Sequence, residues 1–200
     1  MIDNPFREVL PRYVGPLLRL YTRMGLTPDG VSILGFVLAA AAGLLILVDW
    51  PRAAIFAWWI GRLFDGTDGI FARETGRSSG FGAYFDIVLD MAAYSLIILA
   101  LDQVHPELHD RWLVILFLYV VCITSSLALG MQEATRDAPA RDDRGLRLGA
   151  GLAEGGETGI AYTLFLLFPA QLGILTASWI AVLAITVAAR TLLARRTLRD

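Results

Sequence analysis

The chain contains no lysine, a single cysteine and only two histidines among its 200 residues. All 17 basic residues are therefore arginine, and with 19 acidic residues the formal net charge is −2, which gives no support to nucleic-acid binding. The single thiol, Cys122, excludes an intramolecular disulfide and is expected to pack within a helix. His105 and His109 fall among acidic residues in a short predicted loop, where a solvated polar loop is favoured over a metal site.

The N-terminal segment also lacks a continuous apolar core, so no cleavable signal peptide is predicted. From Pro5 to Met24, apolar side chains alternate with arginines at helical spacing, which predicts an amphipathic helix lying on a membrane surface. A poorly ordered basic tail is the alternative. We therefore treat residues 1–30 as an amphipathic juxtamembrane segment.

Apolar residues, in contrast, are abundant. They make up 56% of the chain, and the mean hydropathy is +0.59, which is too high for an ordinary soluble domain. Residues 31–200 are predicted to form one all-α integral membrane domain with six transmembrane helices, each judged against the length a helix needs to cross a bilayer. The predicted spans are Val31 to Val48, Ala53 to Ala72, Ala83 to Leu101, Trp112 to Gly130, Thr158 to Phe168 and Gly173 to Ala189.

Arginine placement predicts the orientation of these spans. The side opposite the connection between the second and third spans carries only Arg52 and Arg111. By the positive-inside rule, both termini and that connection are expected to face the cytoplasm. The arginines on that side number 14 of the 17: Arg7, Arg12, Arg19, Arg23, Arg73, Arg77, Arg136, Arg141, Arg144, Arg147, Arg190, Arg195, Arg196 and Arg199.

Four aspartates stand at fixed spacing at the end of the second span and the start of the third. Asp65 and Asp68 are three residues apart and Asp86 and Asp90 are four apart, so each pair shares one helix face. Across a helix hairpin the two pairs can converge into a cage of four carboxylates. Such a cage near hydrocarbon is costly unless a cation offsets its charge, and Mg²⁺ or Mn²⁺ for phosphate chemistry is the natural interpretation.

The spacing resembles the signature of the CDP-alcohol phosphotransferase family. The resemblance implies transfer of a phospho-alcohol unit from a CDP-linked donor to a hydroxyl, with release of CMP. It also implies a homodimer, for which Trp58, Trp59 and the apolar fourth span are candidate surfaces, although lipid-facing side chains have the same sequence pattern. All eight fixed positions of the signature are filled, within the 26 residues from Asp65 to Asp90: Asp65, Asp68, Gly69, Ala72, Arg73, Gly82, Asp86 and Asp90.

Charge and reach suggest roles for the four carboxylates. Asp65, Asp68 and Asp86 are the expected ligands of two divalent cations, and Asp90 is expected to touch one of them as well. Asp90 is also the candidate general base, because an attacking alcohol needs a carboxylate on the acceptor side of the phosphorus. The family resemblance assigns the last aspartate the same role.

Several other residues are candidates for contact with the CDP-linked donor. Gly69 and Gly66 allow close approach of backbone to ligand, and Arg73 offers planar donors to phosphate oxygens. The resemblance adds three further positions on the same side. They are Ser79 in the connection between the spans, and Pro28 with Asp29 before the first span, where relatives commonly have Pro-Asn.

A second polar group lies at the entry to the fifth span, on the side of the aspartates. Relatives that take a phosphorylated acceptor usually carry Arg or Lys there, whereas this chain has Glu154 and Glu157. The glutamates suit a polyol or a cationic head group, and helix capping explains them equally well. Arg144, Arg147 or Arg190 could still reach a phosphate.

These observations favour a phospholipid-synthesis enzyme that transfers a phosphatidyl group from CDP-diacylglycerol to a small polar alcohol by direct in-line displacement. No Ser, Cys or His is placed to act as a covalent nucleophile. Two alternatives stay open. One is transfer of a head group from a CDP-linked alcohol to a lipid alcohol such as diacylglycerol, and the other is a cation transporter that uses the aspartates as ion ligands.

Overall fold

The computed structural model describes residues 14–134 and 155–198, and the chain is helical in these ranges apart from short connections. Short 3-10 turns occur at Pro106–Leu108 and Pro169–Gln171, and no strand occurs within the described ranges. The prediction of an all-α protein is confirmed. The α-helices are α1 (Gly15–Arg23), α2 (Pro28–Leu47), α3 (Pro51–Glu74), α4 (Gly80–Val104), α5 (His109–Ala134), α6 (Gly155–Leu167) and α7 (Leu172–Thr197).

The helices divide into two compact units with a boundary at Pro106. The N-terminal unit contains α1 to α4, and α2 packs against both α3 and α4. Helix α1 joins this unit through a buried cluster in which Leu18 and Tyr21 pack with Val31 of α2 and Phe71 of α3. The C-terminal unit contains α5 to α7, and α7 packs against both α5 and α6.

Local sequence signals explain where the helices of the N-terminal unit begin and end. The Thr27 hydroxyl accepts a hydrogen bond from the Gly30 backbone N–H at 3.1 Å and caps the start of α2. The Ser79 hydroxyl caps α4 in the same way, accepting from the Gly82 N–H at 2.9 Å. After α3, Gly76 adopts a φ of +64°, which allows the sharp turn towards α4 because glycine has no Cβ.

Two glycines bring α2 and α3 into direct backbone contact. A Cβ on Gly61 would lie 2.9 Å from the carbonyl oxygen of Gly35, and a Cβ on Gly35 would lie 3.1 Å from the carbonyl oxygen of Gly61. The same Cβ on Gly35 would lie 3.3 Å from the backbone nitrogen of Asp65. Small residues at such a crossing let membrane helices approach closely. This crossing therefore fixes the part of α3 that carries Asp65.

The helices overlap all six predicted spans, but they differ in their capacity to cross a membrane. In the described residues, four helical stretches are long and apolar enough: Pro28–Leu47, Gly80–Val104, Pro106–Gln132 and Pro169–Thr197. Helix α3 has 24 residues but carries arginine and aspartate along its length, and α6 has 13 residues. Six crossings therefore stay a prediction.

The predicted N-terminal amphipathic helix lies only partly within the described residues. Helix α1 covers Gly15–Arg23, buries Leu18 and Tyr21, and exposes Arg19 and Arg23. Residues 1–13 lie outside the described ranges. The structure thus gives a helix with one apolar face at this place, and its position on a membrane surface stays a prediction.

Tyr119 links the three helices of the C-terminal unit. Its hydroxyl lies on α5 and accepts hydrogen bonds from the Tyr162 hydroxyl of α6 and from Nε1 of Trp179 of α7, both at 3.0 Å. Cys122 and Ser125 lie one to two turns after Tyr119 on α5. Arg190 of α7 donates to the carbonyl oxygen of Cys122 at 2.6 Å and to the Ser125 hydroxyl at 3.2 Å. The Tyr119 hydroxyl and Nη1 of Arg190 are thus matched by hydrogen-bonding partners within this unit.

Candidate metal and active site

The hairpin formed by α3 and α4 brings the two aspartate pairs together. Asp65 and Asp68 lie in the last three turns of α3, and Asp86 and Asp90 lie in the first three turns of α4. Carboxylate oxygens of Asp65, Asp68 and Asp86 all lie within 4.8 Å of one another. The predicted convergence is therefore present for these three residues.

The three carboxylates are sheltered from solvent. Asp68 is 6% exposed and Asp86 is 9% exposed, and the Asp65 side chain is 18% exposed. Like charges so close together repel strongly at low dielectric unless a cation lies between them. Oxygen-only ligands at this separation suit a hard divalent ion such as Mg²⁺ or Mn²⁺. The donor set therefore fits a divalent metal site.

Asp68 is held by two hydrogen bonds that fix its orientation. The Ser32 hydroxyl of α2 donates to Oδ2, and the backbone N–H of Gly69 donates to Oδ1. Both bonds are made to a charged acceptor, which makes them stronger than neutral ones. Ser32 lies outside the aspartate signature, and no pattern in the sequence indicates its contact with Asp68.

Asp90 has a different environment from the other three carboxylates. Its Oδ1 accepts a hydrogen bond from Nη1 of Arg62 at 2.6 Å, and the same nitrogen lies 3.2 Å from Oδ2 of Asp65. Nη1 also donates to the Tyr94 hydroxyl at 3.0 Å. Asp90 is not part of the three-carboxylate group in the described structure. Arg62 is the second residue at this site that the aspartate spacing does not reveal.

Helix α1 contacts the site from the N-terminal side. The Tyr21 hydroxyl shares a hydrogen bond of 3.0 Å with the Thr67 hydroxyl, next to Asp68 in the sequence. The Tyr21 ring packs against Phe64 and Phe71 of α3. Burial raises the pKa of the Tyr21 hydroxyl, the Thr67 hydrogen bond opposes this rise, and the Asp68 charge adds to it. Tyr21 is therefore a neutral anchor for α1.

The predicted donor contacts lie at the end of the hairpin where residues 75–79 connect α3 and α4. Arg73 is exposed, and its Nη1 would lie 3.6 Å from a Cβ on Gly69, which meets no other neighbour within 4 Å. Gly69 therefore does not serve helix packing, unlike Gly35 and Gly61. Gly66 is also exposed, on the helix turn between the two aspartates of α3.

The remaining donor candidates meet at the start of α4. A Cβ on Gly82 would lie 3.2 Å from the Ser79 hydroxyl and 3.4 Å from Oδ1 of Asp29. Pro28 is buried beside Asp29 at the first turn of α2. The structure thus brings Asp29, Ser79 and Gly82 together, although they lie on separate helices or turns.

The second polar group is only partly described. Glu157 lies in the first turn of α6, whereas Arg144, Arg147 and Glu154 lie outside the described residues. Arg190 is 3% exposed and donates to α5 within the C-terminal unit. Its predicted reach towards an acceptor phosphate stays a prediction.

The arrangement of charges does not favour an ion relay. The clustered carboxylates lie in the halves of α3 and α4 next to the Thr75–Ser79 connection. Neither Pro51–Phe64 nor Met91–Leu101 contains an aspartate or a glutamate. An ion path along these helices would need such ligands at successive depths. The hairpin therefore has a site at one end and no continuation through its apolar half.

Comparisons with known proteins agree with this site. The sequence model of the CDP-alcohol phosphatidyltransferase family matches residues 25–191. The chain is 33% identical over 175 residues to inner membrane protein YnjF of Escherichia coli, covering 85% of this chain and 84% of that protein. It is 34% identical over 154 residues to phosphatidylinositol phosphate synthase of Mycobacterium marinum, covering 73% of this chain and 64% of that protein.

Solved structures show the same fold. The structure of Mycobacterium tuberculosis phosphatidylinositol phosphate synthase in complex with manganese and citrate aligns with a TM-score of 0.62 at 26% identity, covering 90% of this chain and 87% of that one. The same enzyme with CDP-DAG bound aligns with a TM-score of 0.66 at 24% identity, covering 92% and 94%. With the match over residues 25–191, the chain belongs to the CDP-alcohol phosphatidyltransferase family, and it is a membrane enzyme that transfers substituted phosphate groups.

Proposed function

We propose that this protein transfers a phosphatidyl group from CDP-diacylglycerol to the hydroxyl of a small polar alcohol and releases CMP. The observation that carries the proposal is the hairpin of α3 and α4, with three carboxylates within 4.8 Å of one another and Asp90 beside them. In-line displacement at phosphorus requires a cluster of carboxylates that binds cations and, next to it, one carboxylate that accepts a proton.

Asp65, Asp68 and Asp86 hold two divalent cations, Mg²⁺ or Mn²⁺, with Asp90 at the edge of this group. When bound, these ions supply positive charge to the pyrophosphate of the donor and to the CMP leaving group. Ser32 and the Gly69 N–H keep the Asp68 oxygens aimed into the group. The fixed hydrogen bonds lower the reorganisation needed when the ligands are used.

Asp90 accepts the proton of the acceptor hydroxyl. As this O–H bond breaks, the acceptor oxygen forms a bond to the phosphorus that carries the diacylglycerol unit, and the bond from that phosphorus to the CMP oxygen breaks. CMP leaves with the electron pair of the broken bond. Asp90 is suited to this role because one of its oxygens pairs with Arg62, and the second oxygen is available to the acceptor.

The residues near the connection between α3 and α4 position the donor. Gly66 and Gly69 leave space for the cytidine and its phosphates, and Arg73 reaches the phosphate oxygens. Pro28, Asp29 and Ser79 form the far wall, where Asp29 and Ser79 both approach Gly82. Asp29 can accept a hydrogen bond from the donor, where an asparagine could also donate one.

The acceptor is a small alcohol, and inositol phosphate is the first compound to test, because several similar proteins carry the name phosphatidylinositol phosphate synthase. Glu157 in the first turn of α6 is compatible with hydroxyl groups of a polyol. Arg190 would have to give up its contacts with Cys122 and Ser125 in order to hold an acceptor phosphate.

The site operates at the cytoplasmic surface of the inner membrane. This arrangement combines six crossings over residues 31–200 with an amphipathic segment at residues 1–30, and both termini lie on the side rich in arginine. Helix α3 crosses in spite of its charges because Arg62 pairs with Asp65 and Asp90 within the N-terminal unit. The protein acts as a homodimer, in keeping with its family.

The test is CMP release by the purified full-length chain with CDP-diacylglycerol and Mg²⁺. The acceptors are inositol phosphate, inositol, glycerol 3-phosphate, serine, choline and ethanolamine, each in a separate reaction. Asp90→Asn should abolish release, since an amide cannot accept the proton; loss of a general base costs on the order of 10² to 10⁴ in rate. Asp102→Asn, at the opposite end of α4, is the matched control and should retain activity.

Release with one acceptor, lost in Asp90→Asn and retained in Asp102→Asn, would support both the reaction and the role of Asp90. The proposal is wrong if the wild-type chain releases no CMP with any acceptor. In that case CDP-ethanolamine with diacylglycerol is the next reaction to measure, because it uses the same site in the reverse arrangement.

A further inference from the structure

Arg62 is the basic residue of the site that stands outside the aspartate signature. It lies on α3, one helical turn before Asp65 and on the side of the site away from the Thr75–Ser79 connection. Its Nη1 contacts Oδ1 of Asp90 at 2.6 Å and Oδ2 of Asp65 at 3.2 Å. One positive charge thus contacts a carboxylate from each helix of the hairpin.

Two aromatic rings hold the guanidinium in place. Its central carbon lies 5.1 Å from the centroids of both the Trp58 ring and the Tyr94 ring. The Tyr94 hydroxyl accepts a hydrogen bond from Nη1 at 3.0 Å, and the side chain as a whole is 10% exposed. Cation–π contacts with both rings favour a cation at this position. The surroundings therefore fix both the position and the orientation of the charge.

Arg62 is an incompletely satisfied group. Its Nε is buried without a hydrogen-bond partner, so the side chain does not gain all the bonds that an arginine can make. Burial of a cation with an unmet donor costs stability, and a well-packed apolar residue at such a place is often at least as stable. Stability of the fold is therefore a weak explanation for Arg62, and a role at the carboxylates is a stronger one.

The four carboxylates fall into two sets, and Arg62 contacts one member of each. Asp65, Asp68 and Asp86 form the group whose oxygens lie within 4.8 Å of one another. Asp90 is not in that group, and its Oδ1 is bonded to Arg62 instead. Both pairs of aspartates have the helical spacing that would allow all four to converge, so the spacing alone does not explain why one stands apart.

We propose that Arg62 is a positioning residue that keeps Asp90 out of the metal group and holds it as the proton acceptor. The proposal rests on the proposed function for its catalytic part. By occupying one oxygen of Asp90, Arg62 leaves the other oxygen for the acceptor hydroxyl. Its charge also lowers the attraction of the neighbouring carboxylates for a cation, because like charges a few ångströms apart repel.

If Arg62 has this role, its loss should raise the affinity for metal and lower the rate of proton transfer. Without the arginine charge, Asp90 is free to join Asp65, Asp68 and Asp86, so metal binding should become tighter. Proton transfer should become slower, because Asp90 is no longer held apart. A purely structural ion pair makes a different prediction: its loss would disorder the hairpin and weaken metal binding and catalysis together.

The experiment uses the full chain, purified in detergent, with Arg62→Met as the main variant. Mn²⁺ affinity is measured by titration with electron paramagnetic resonance detection, and CMP release is measured at saturating Mg²⁺. Changes that reorient ligands at metal sites shift affinity or activity by about 10- to 100-fold. We expect kcat to fall by about that factor and Mn²⁺ to bind about tenfold more tightly, with little change in the KM for CDP-diacylglycerol.

Two further variants make the result specific. Arg62→Lys keeps the charge and should recover most of the lost kcat and return the Mn²⁺ affinity towards that of the wild type. Arg52→Met removes an exposed arginine from the first turn of the same helix and should change neither readout. If Arg62→Met does not fold, Arg62→Gln gives the same pair of measurements, because it keeps a hydrogen-bond donor and removes the charge.

Three results would overturn the proposal. The first two are an unchanged kcat and a weaker Mn²⁺ affinity in Arg62→Met. The third is a loss of kcat in Arg62→Lys as large as that in Arg62→Met. The Mn²⁺ titration does not need turnover. If the wild-type chain releases no CMP at all, the proposed function fails on its own, and the direction of the change in Mn²⁺ affinity still decides whether Arg62 holds Asp90 out of the metal group.

Discussion

Each of the two units of the chain buries one cluster of polar side chains, and the two clusters differ in charge. In the C-terminal unit, Tyr119 accepts from Tyr162 and Trp179, and the three groups are neutral and complementary. In the N-terminal unit, Asp65, Asp68 and Asp86 place carboxylates within 4.8 Å of one another. The first arrangement holds helices together, whereas the second opposes folding unless a ligand offsets its charge.

This difference shows which buried polar groups to read as functional. Burial alone does not separate the two units, since Tyr119 and Asp68 are both below 9% exposed. What separates them is charge, since the Tyr119 group is neutral and the three carboxylates are like charges within 4.8 Å of one another. Closely spaced like charges inside a membrane protein are costly, so their presence indicates a function that requires them. The comparison therefore predicts that substitutions in the two units will affect different measurements.

The largest effect is expected for Asp68→Asn. The variant removes one ligand from the three-carboxylate group, so CMP release should fall by at least about 100-fold and Mn²⁺ affinity by a similar factor. Its melting temperature should stay the same or rise, because repulsion among the carboxylates decreases. Activity, Mn²⁺ titration and thermal unfolding in detergent check this. A large drop in melting temperature would mean that Asp68 stabilises the fold, and the contrast between the units would fail.

A smaller effect on activity, with a clear effect on stability, is expected for Gly61→Ala. The added Cβ would lie 2.9 Å from the Gly35 carbonyl oxygen, so α2 and α3 must separate. Overpacking of this kind costs about 1 to 3 kcal/mol, and the shift of Asp65 on the next turn should also slow CMP release. Gly43→Ala is the control, since its Cβ would meet its nearest neighbour at 3.7 Å. Equal melting temperatures for the two variants would contradict the prediction.

The smallest effect is expected for Tyr119→Phe. Loss of the hydroxyl leaves the Tyr162 and Trp179 donors without this acceptor, and a hydrogen bond between membrane helices contributes about 0.6 kcal/mol on average. The melting temperature should fall modestly, while Mn²⁺ affinity should not change, because the carboxylates lie in the other unit. An altered Mn²⁺ affinity would show that the two units do not divide stability and metal binding as proposed.

The sequence predicted the helical class, the helices that carry the site and the convergence of Asp65, Asp68 and Asp86, but it did not predict that Asp90 stands outside this group. These features depend on local periodicity and on spacing within a helix, both of which can be read along the chain. Asp65 and Asp68 share a helix face for that reason, and the hairpin follows from the short connection with Gly76 and the Ser79 cap.

The features that sequence analysis did not predict depend on which helices meet, and where. Ser32 donates to Asp68 across 36 residues, and Arg62 reaches Asp90 across 28. Neither residue has a distinctive neighbour in the sequence. The Gly35–Gly61 contact has the same origin, because glycines are common in membrane helices and only the crossing point distinguishes this pair.

The pairing of Arg62 with Asp90 also bears on how the chain enters a bilayer. Helix α3 contains Arg62, Asp65 and Asp68, and each would oppose insertion of an isolated helix by about 2.5 to 3.5 kcal/mol at the bilayer centre. Arg62 has one partner on α3, Asp65, but its shorter contact is with Asp90, which is synthesised 28 residues later, on α4. We therefore expect α3 to remain at the membrane surface or within the insertion machinery until α4 has emerged, and the two helices to enter as a hairpin.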